Sequence, residues 1–201
     1  LAARAHTLLK PVQAAYLMEP PAAPSPKQLI AAFAFRVKNV VRLLGAGAMG
    51  VPCLLTGSGM AFPWPVIRTM PLASGNIVED MQLGIDLALA DHAPVFDRDT
   101  LIVSTFPDAA KATASQRTRW EHGHLQTIRA QVPRVLREAL RQKRGSLFGL
   151  ALDLAIPPLT LLMMMWGVLW GLALIYAVAG GVSGPAWILT LGGMLIAFGV
   201  Y

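Results

Sequence analysis

The chain has 201 residues, 55% of them hydrophobic and 14% charged, well below the roughly 25% charge of an ordinary soluble domain. A mean hydropathy of +0.53 excludes a disordered chain, which needs low hydrophobicity. The single Cys53 excludes a disulfide framework and a cysteine-based zinc or iron–sulfur site. The net charge of +6 is unevenly spread: charges are ordinary up to Arg144, and none follows Asp153.

Val12 and Ala14 to Met18 predict a short strand. Pro20, Pro21, Pro24 and Pro26 then forbid regular structure and predict a loop. From Lys27 the period turns helical: Leu29, Ile30, Phe33, Val37, Val40 and Val41 recur on one face, and Lys38 and Arg42 share another. Gly45, Gly47 and Gly50 end this helix. Cys53 to Leu55 predicts a short buried strand, with the tight turn Thr56-Gly57-Ser58-Gly59-Met60 at its end. Pro63 and Pro65 bracket Trp64. Asn76 predicts the cap of a helix through about Ala90, with Glu79 and Asp80 in the first turn, where the helix dipole favours carboxylates. Val95-Phe96 and Leu101-Ile102-Val103 predict two strands around a polar turn. A longer helix is expected from Asp108 into the Gln131 region. The alternation of strand and helix argues an α/β fold.

Pro133 predicts the start of another helix, ending near Arg144. Arg134, Arg137, Arg141 and Arg144 fall on one face and Val135, Leu136, Ala139 and Leu140 on the other, a pattern suited to an anionic bilayer surface. Leu154 to Ala179 is apolar and long enough to span a membrane, with Pro157 and Pro158 in its first turns. Gly180 to Pro185 predicts a hairpin, Trp187 an interfacial anchor, and Ala186 onward a second span unfinished at Tyr201. Residues 1–132 are thus expected to be a water-facing α/β domain, 133–146 an interfacial helix and 147–201 a membrane region with spans at about 154–179 and 186–201. The chain starts at Leu1 and stops inside an apolar run, so a fragment cut at both ends is expected. No signal-peptide pattern opens it.

Three constellations carry chemistry. Gly57-Ser58-Gly59-Met60-Ala61-Phe62 is a glycine-rich turn whose backbone lets a ligand approach closely. Glu79-Asp80 places two carboxylates at a helix start, where one can take a proton from a hydroxyl nucleophile; alone, such a pair is usually capping. Gln116, Arg119 and Trp120 share one helical face. Together they offer an amide, a planar cation able to hold a diphosphate oxygen bidentately and an aromatic plate for a sugar ring. Asp97-Arg98-Asp99 spells D-x-D but reads as a β-turn, and no metal ligation is assigned to it. His122 and His124 are two apart and diverge on a helix, whereas helical zinc pairs use i, i+4 spacing. Met163-Met164-Met165 reads as lipid-facing or packing filler.

The order Gly57-Ser58-Gly59-Met60-Ala61, Glu79-Asp80, then Gln116-x-x-Arg119-Trp120, followed by membrane spans, resembles the membrane-bound family 2 glycosyltransferases: the cellulose, hyaluronan and exopolysaccharide synthases. The stretch Gln116 to His124 looks closest to the exopolysaccharide type. Val78 stands where that family usually has the Thr of its TED motif. The resemblance implies the C-terminal half of a GT-A domain followed by membrane helices, with the nucleotide-binding half missing. It implies Asp80 as catalytic base, Glu79 supporting it, and Gly57, Ser58, Gly59 and Met60 lining the acceptor site. Gln116, Arg119 and Trp120 would bind the donor diphosphate and acceptor sugar. The implied reaction is an inverting transfer from a nucleotide-sugar donor to a glycan or lipid acceptor. Mg²⁺ or Mn²⁺ is implied, its ligands expected in the missing half, so this chain alone is expected to be inactive. Membrane lipids are expected partners and nucleic acid is not. The expected location is the inner membrane, multi-pass, with the catalytic part cytoplasmic. A glycolipid-forming transferase of the same fold and a non-catalytic membrane paralogue or scaffold stay open as alternatives.

Overall fold

The computed structural model describes residues 1–72, 78–105, 110–157 and 159–200, without the side chains of 27, 110–121, 159, 160 and 195–200. It divides into two units, Leu1–Ile156 and Pro157–Tyr201.

The first unit opens with α1 (Ala2–Leu8) and β1 (Val12–Glu19). Then α2 (Pro26–Arg36), a π-helical turn (Val37–Val41) and α3 (Arg42–Ala48) run on without a break. Ser25 starts α2 with a capping box, its hydroxyl accepting from the Gln28 N–H while the Gln28 side chain reaches back to the Ser25 N–H. Next come β2 (Met60–Ala61), α4 (Trp64–Ile67), α5 (Glu79–Leu89), β3 (Val95–Thr105), α6 (Ala110–Gln142) and α7 (Gly145–Ala155). The sheet order is β2-β1-β3, with β1 antiparallel to β2 and parallel to β3.

Several expectations change in the fold. The two strands around Asp97-Arg98-Asp99 are one strand, β3, interrupted by a bulge. Ala14 pairs with Asp97 and Ala15 with Leu101, so residues 98–100 are looped out. Asp97 is buried there and fully engaged: it accepts from the Asp99 N–H and the Thr100 hydroxyl and pairs with Arg4. Those partners hold its carboxyl below the usual range despite burial. Cys53 to Leu55 are buried as expected but form no strand; the segment is tied by Cys53 N–H to the Pro94 carbonyl at 3.0 Å. The helix after residue 76 starts at Glu79, and the expected cap Asn76 lies outside the described residues, as does Asp108.

Pro133 opens no new helix: α6 runs through it to Gln142. Val135 and Ala139, expected on a lipid-facing side, are buried in the core of the first unit. That core joins α5 (Met81, Ile85, Ala88), α6 (Val135, Ala139) and α7 (Leu147, Leu150, Ala151, Leu154). The α7 positions follow i, i+3, i+4, i+7, which puts one apolar stripe inward. Leu154, expected to open a membrane span, is therefore a core residue; α7 ends at Ala155 and Ile156 turns extended. Leu154→Ala should lower stability by about 2–5 kcal/mol, the cost of a core cavity, in urea unfolding followed by circular dichroism. A near-neutral result would return Leu154 to the membrane region.

The second unit holds α8 (Leu159–Val178) and α9 (Gly184–Val200). They are pinned by the Trp166 indole N–H donating to the Leu189 carbonyl at 3.0 Å and the Trp170 indole N–H donating to the Thr190 hydroxyl at 2.8 Å. Among the described residues one stretch, Leu161–Val178, is long and apolar enough to cross a membrane. Met163, Met164, Met165 and Trp187 are exposed.

Candidate functional site

The site grows from Gln13. A glutamine inside the buried, otherwise apolar start of β1 must satisfy both ends of its amide. Its Oε1 accepts from the Thr56 N–H at 2.9 Å and its Nε2 donates to the Ser58 carbonyl at 2.8 Å. One fully buried side chain thus sets the path of the glycine-rich turn. The Ala14 N–H donates to the Gly59 carbonyl at 2.8 Å, and Met60 pairs with Gln13 across β2 and β1. Gly59 sits at φ +69°, where a Cβ would meet Ile102 Cγ1 at 2.6 Å and Ala14 Cβ at 3.0 Å, so only glycine lets the turn lie this close to the sheet.

Gly57 faces the other way. At φ +81° its backbone lies against the start of α5, and a Cβ there would stand 3.0 Å from Asp80 Oδ2. Two motifs far apart in sequence therefore form one wall. Thr56, beside them, carries a buried hydroxyl with no partner among the described residues. Ser58 contributes its carbonyl to Gln13.

Asp80 is half-buried and Glu79 exposed. Burial pushes the Asp80 carboxyl above its ordinary value; the N–H groups at the helix start and the Lys38 ammonium pull it back, and Glu79 adds a small push upward. A carboxylate of raised basicity at a glycine-walled surface is suited to accept a proton from a hydroxyl.

Lys38 stands on the π-helical turn, a distortion often found at functional positions. Its side chain keeps solvent contact, yet its ammonium is crowded by the fold. That desolvation, then Arg42, hold it below its usual value while Asp80 opposes them. Arg42 is spent on Asp153, its Nε donating to Oδ1 at 2.7 Å and its NH2 to the Asp153 carbonyl at 2.7 Å. His124 is buried, with His122 exposed, which confirms that the two diverge. Burial first, then Lys38 and Arg42, push the His124 imidazole down, against the Ile156 and Leu154 carbonyls. Its neutral form is the favoured one, and its contribution to stability is lost as pH falls through its lowered value.

Gln116, Arg119 and Trp120 fall within the continuous helix α6, and their side chains lie outside the described residues. The described residues hold no group of three or more His, Cys, Asp or Glu able to bind a metal, and both Asp97 oxygens are already engaged.

Sequence reasoning passed over Gln13, whose signal was a lone amide in an apolar strand. It placed Lys38 and Arg42 on a shared face without seeing that the Lys38 charge acts on Asp80 while Arg42 pairs with Asp153.

No curated protein and no solved structure matches the chain. The family model described as glycosyl transferase family group 2 matches residues 12–201. The match runs from the first residue of β1, across the glycine turn, the Asp80 helix and α6, to the end of the chain, which therefore belongs to glycosyl transferase family group 2.

Proposed function

We propose that this transferase is a membrane-anchored, inverting enzyme that moves a sugar from a nucleotide-sugar donor to a polysaccharide-type acceptor in exopolysaccharide synthesis. The observation that carries this reading is the Gly57–Asp80 wall, which puts a carboxylate of raised basicity beside backbone an acceptor can approach. Asp80 takes the proton of the acceptor hydroxyl as its oxygen attacks the anomeric carbon. The bond from that carbon to the donor diphosphate breaks, the nucleoside diphosphate leaves with the electron pair, and the configuration inverts. Glu79 supports Asp80, and Gly57, Ser58, Gly59 and Met60 line the acceptor site. Gln116, Arg119 and Trp120 hold the donor diphosphate and the acceptor sugar. The described residues supply no ligand set for a divalent cation, and no step is assigned to one.

The membrane reading is supported by the apolar Leu161–Val178 helix. In this reading α9 is a second span and the catalytic part is cytoplasmic. Arg129, Arg134, Arg137, Arg141, Lys143 and Arg144 precede α8, while the turn after it carries no charge.

Membranes containing the full-length enzyme, given labelled nucleotide sugars, should release labelled polymer. Label confined to the lipid extract would replace the polymer acceptor with a lipid, and no labelled product with any nucleotide sugar would overturn the reading. Arg119→Lys should lose activity, because lysine keeps the charge but not the planar two-point fork. Wild-type turnover with lysine would show that Arg119 is no bidentate diphosphate ligand.

A further inference from the structure

The apolar positions that recur along residues 26–48 face outward. Phe35, Asn39, Leu43 and Ala46 turn toward the fold; Phe35 meets Tyr16 edge-on at 5.2 Å, and the other three are buried. On the opposite side Leu29, Ile30, Phe33, Val37, Val41 and Leu44 form a stripe that is 39% to 59% exposed. A contiguous exposed stripe of this size marks an interaction surface.

Charge identifies what it meets. From Pro20 to Val78 the sequence contains no Asp or Glu, and the helical run offers Lys27 and Arg36 as cations besides Lys38, whose charge acts on Asp80, and Arg42, which is paired with Asp153. Arg36 is exposed and has no ion-pair partner among the described residues. An apolar face with cations and no carboxylate matches an anionic bilayer surface, where the stripe enters the acyl boundary and the cations meet the headgroups. The basic end of α6 has little such face left, since Val135 and Ala139 are buried in the core.

We infer that the continuous helix Pro26–Ala48 lies on an anionic lipid surface through Leu29, Ile30, Phe33, Val37, Val41 and Leu44. This rests on the membrane association proposed above and is independent of the sugar-transfer chemistry. It places lipid against the outer side of the helix that also carries Lys38, whose charge acts on Asp80, so the bilayer holds the acceptor wall near its surface.

The test uses the full chain in vesicles of phosphatidylcholine with phosphatidylglycerol. The one native thiol, Cys53, is buried, and burial pushes it up to about 12, so it stays unlabelled. Ile30→Cys, Phe33→Cys and Val41→Cys are each labelled with a polarity-sensitive fluorophore; the positions are exposed, so the core is untouched. Their emission should shift to the blue and be largely lost when the lipids carry a nitroxide quencher. Label at Arg98→Cys, on the exposed bulge of β3, should do neither. Arg36→Glu should weaken the quenching in vesicles with phosphatidylglycerol and leave it unchanged in phosphatidylcholine alone. Co-flotation with unquenched stripe labels would overturn this inference alone, and a blue shift without lipid quenching would mean that protein covers the stripe instead. Failure of the chain to co-float at all would remove the membrane reading with it.

Discussion

Replacing Asp80 with Asn is expected to reduce sugar transfer by about 10²–10⁴-fold in the active enzyme, the range for loss of a general base, while donor binding stays near normal. The base acts on the acceptor hydroxyl and not on the nucleotide, so the loss should appear in kcat. The same substitution should raise stability at neutral pH. Burial lifts the Asp80 carboxyl above its unfolded value, so the native state is favoured while the group is protonated. That advantage is lost as pH rises through the raised value. Asn, neutral throughout, carries no such loss, so the gain should be present at pH 7 and vanish below the ordinary carboxylate range. Activity falling while thermal stability rises is the signature of a site residue held against the preference of the fold. Equal loss of both would make Asp80 a structural cap, and near-normal turnover would remove it from the mechanism. In the wild type the acid limb of the rate should lie above the range of an ordinary aspartate.

Gly57→Ala is expected to cost transfer on the order of 10²-fold, through displacement of a catalytic group. Two effects add at this position. The left-handed backbone at φ +81° costs an L side chain about 1–2 kcal/mol. The new methyl would also stand 3.0 Å from Asp80 Oδ2, so the carboxylate must move. Gly47→Ala is the matched control: it lies within α3 with nothing within 4 Å of its Cβ, and should stabilise by about 0.5–1 kcal/mol with unchanged activity. Kinetics of both variants, with circular dichroism to show that each folds, decide the point. Full activity in Gly57→Ala would separate the glycine turn from Asp80.

The sequence alone determined the parts that depend on near neighbours. The strand at Val12, the alternation of helix and strand, the acidic start of α5 and the divergence of His122 and His124 follow from local periodicity and dipoles. So does the apolar helix within 154–179, because hydropathy over a span-length window does not depend on packing. The glycine turn and the Glu79-Asp80 pair were legible as motifs, one by one. What only the tertiary structure decided is which faces meet. Leu154 has the same side chain whether it enters a membrane or a core, and its burial against α5 and α6 appears only once α7 folds back. Pro133 looked like a boundary because a proline lacks its N–H, yet α6 continues through it with Val135 and Ala139 held inside the core. The stripe from Leu29 to Leu44 is visible as a period, but periodicity is blind to direction: the packing of Phe35 on Tyr16 and the burial of Asn39 turn it outward. Gln13 joins residues over forty positions away, Thr56 and Ser58, and Gly57 meets Asp80 across two elements. Long-range contacts of this kind leave no spacing in the chain to read, because the distance between their partners is set by the path of everything folded between them.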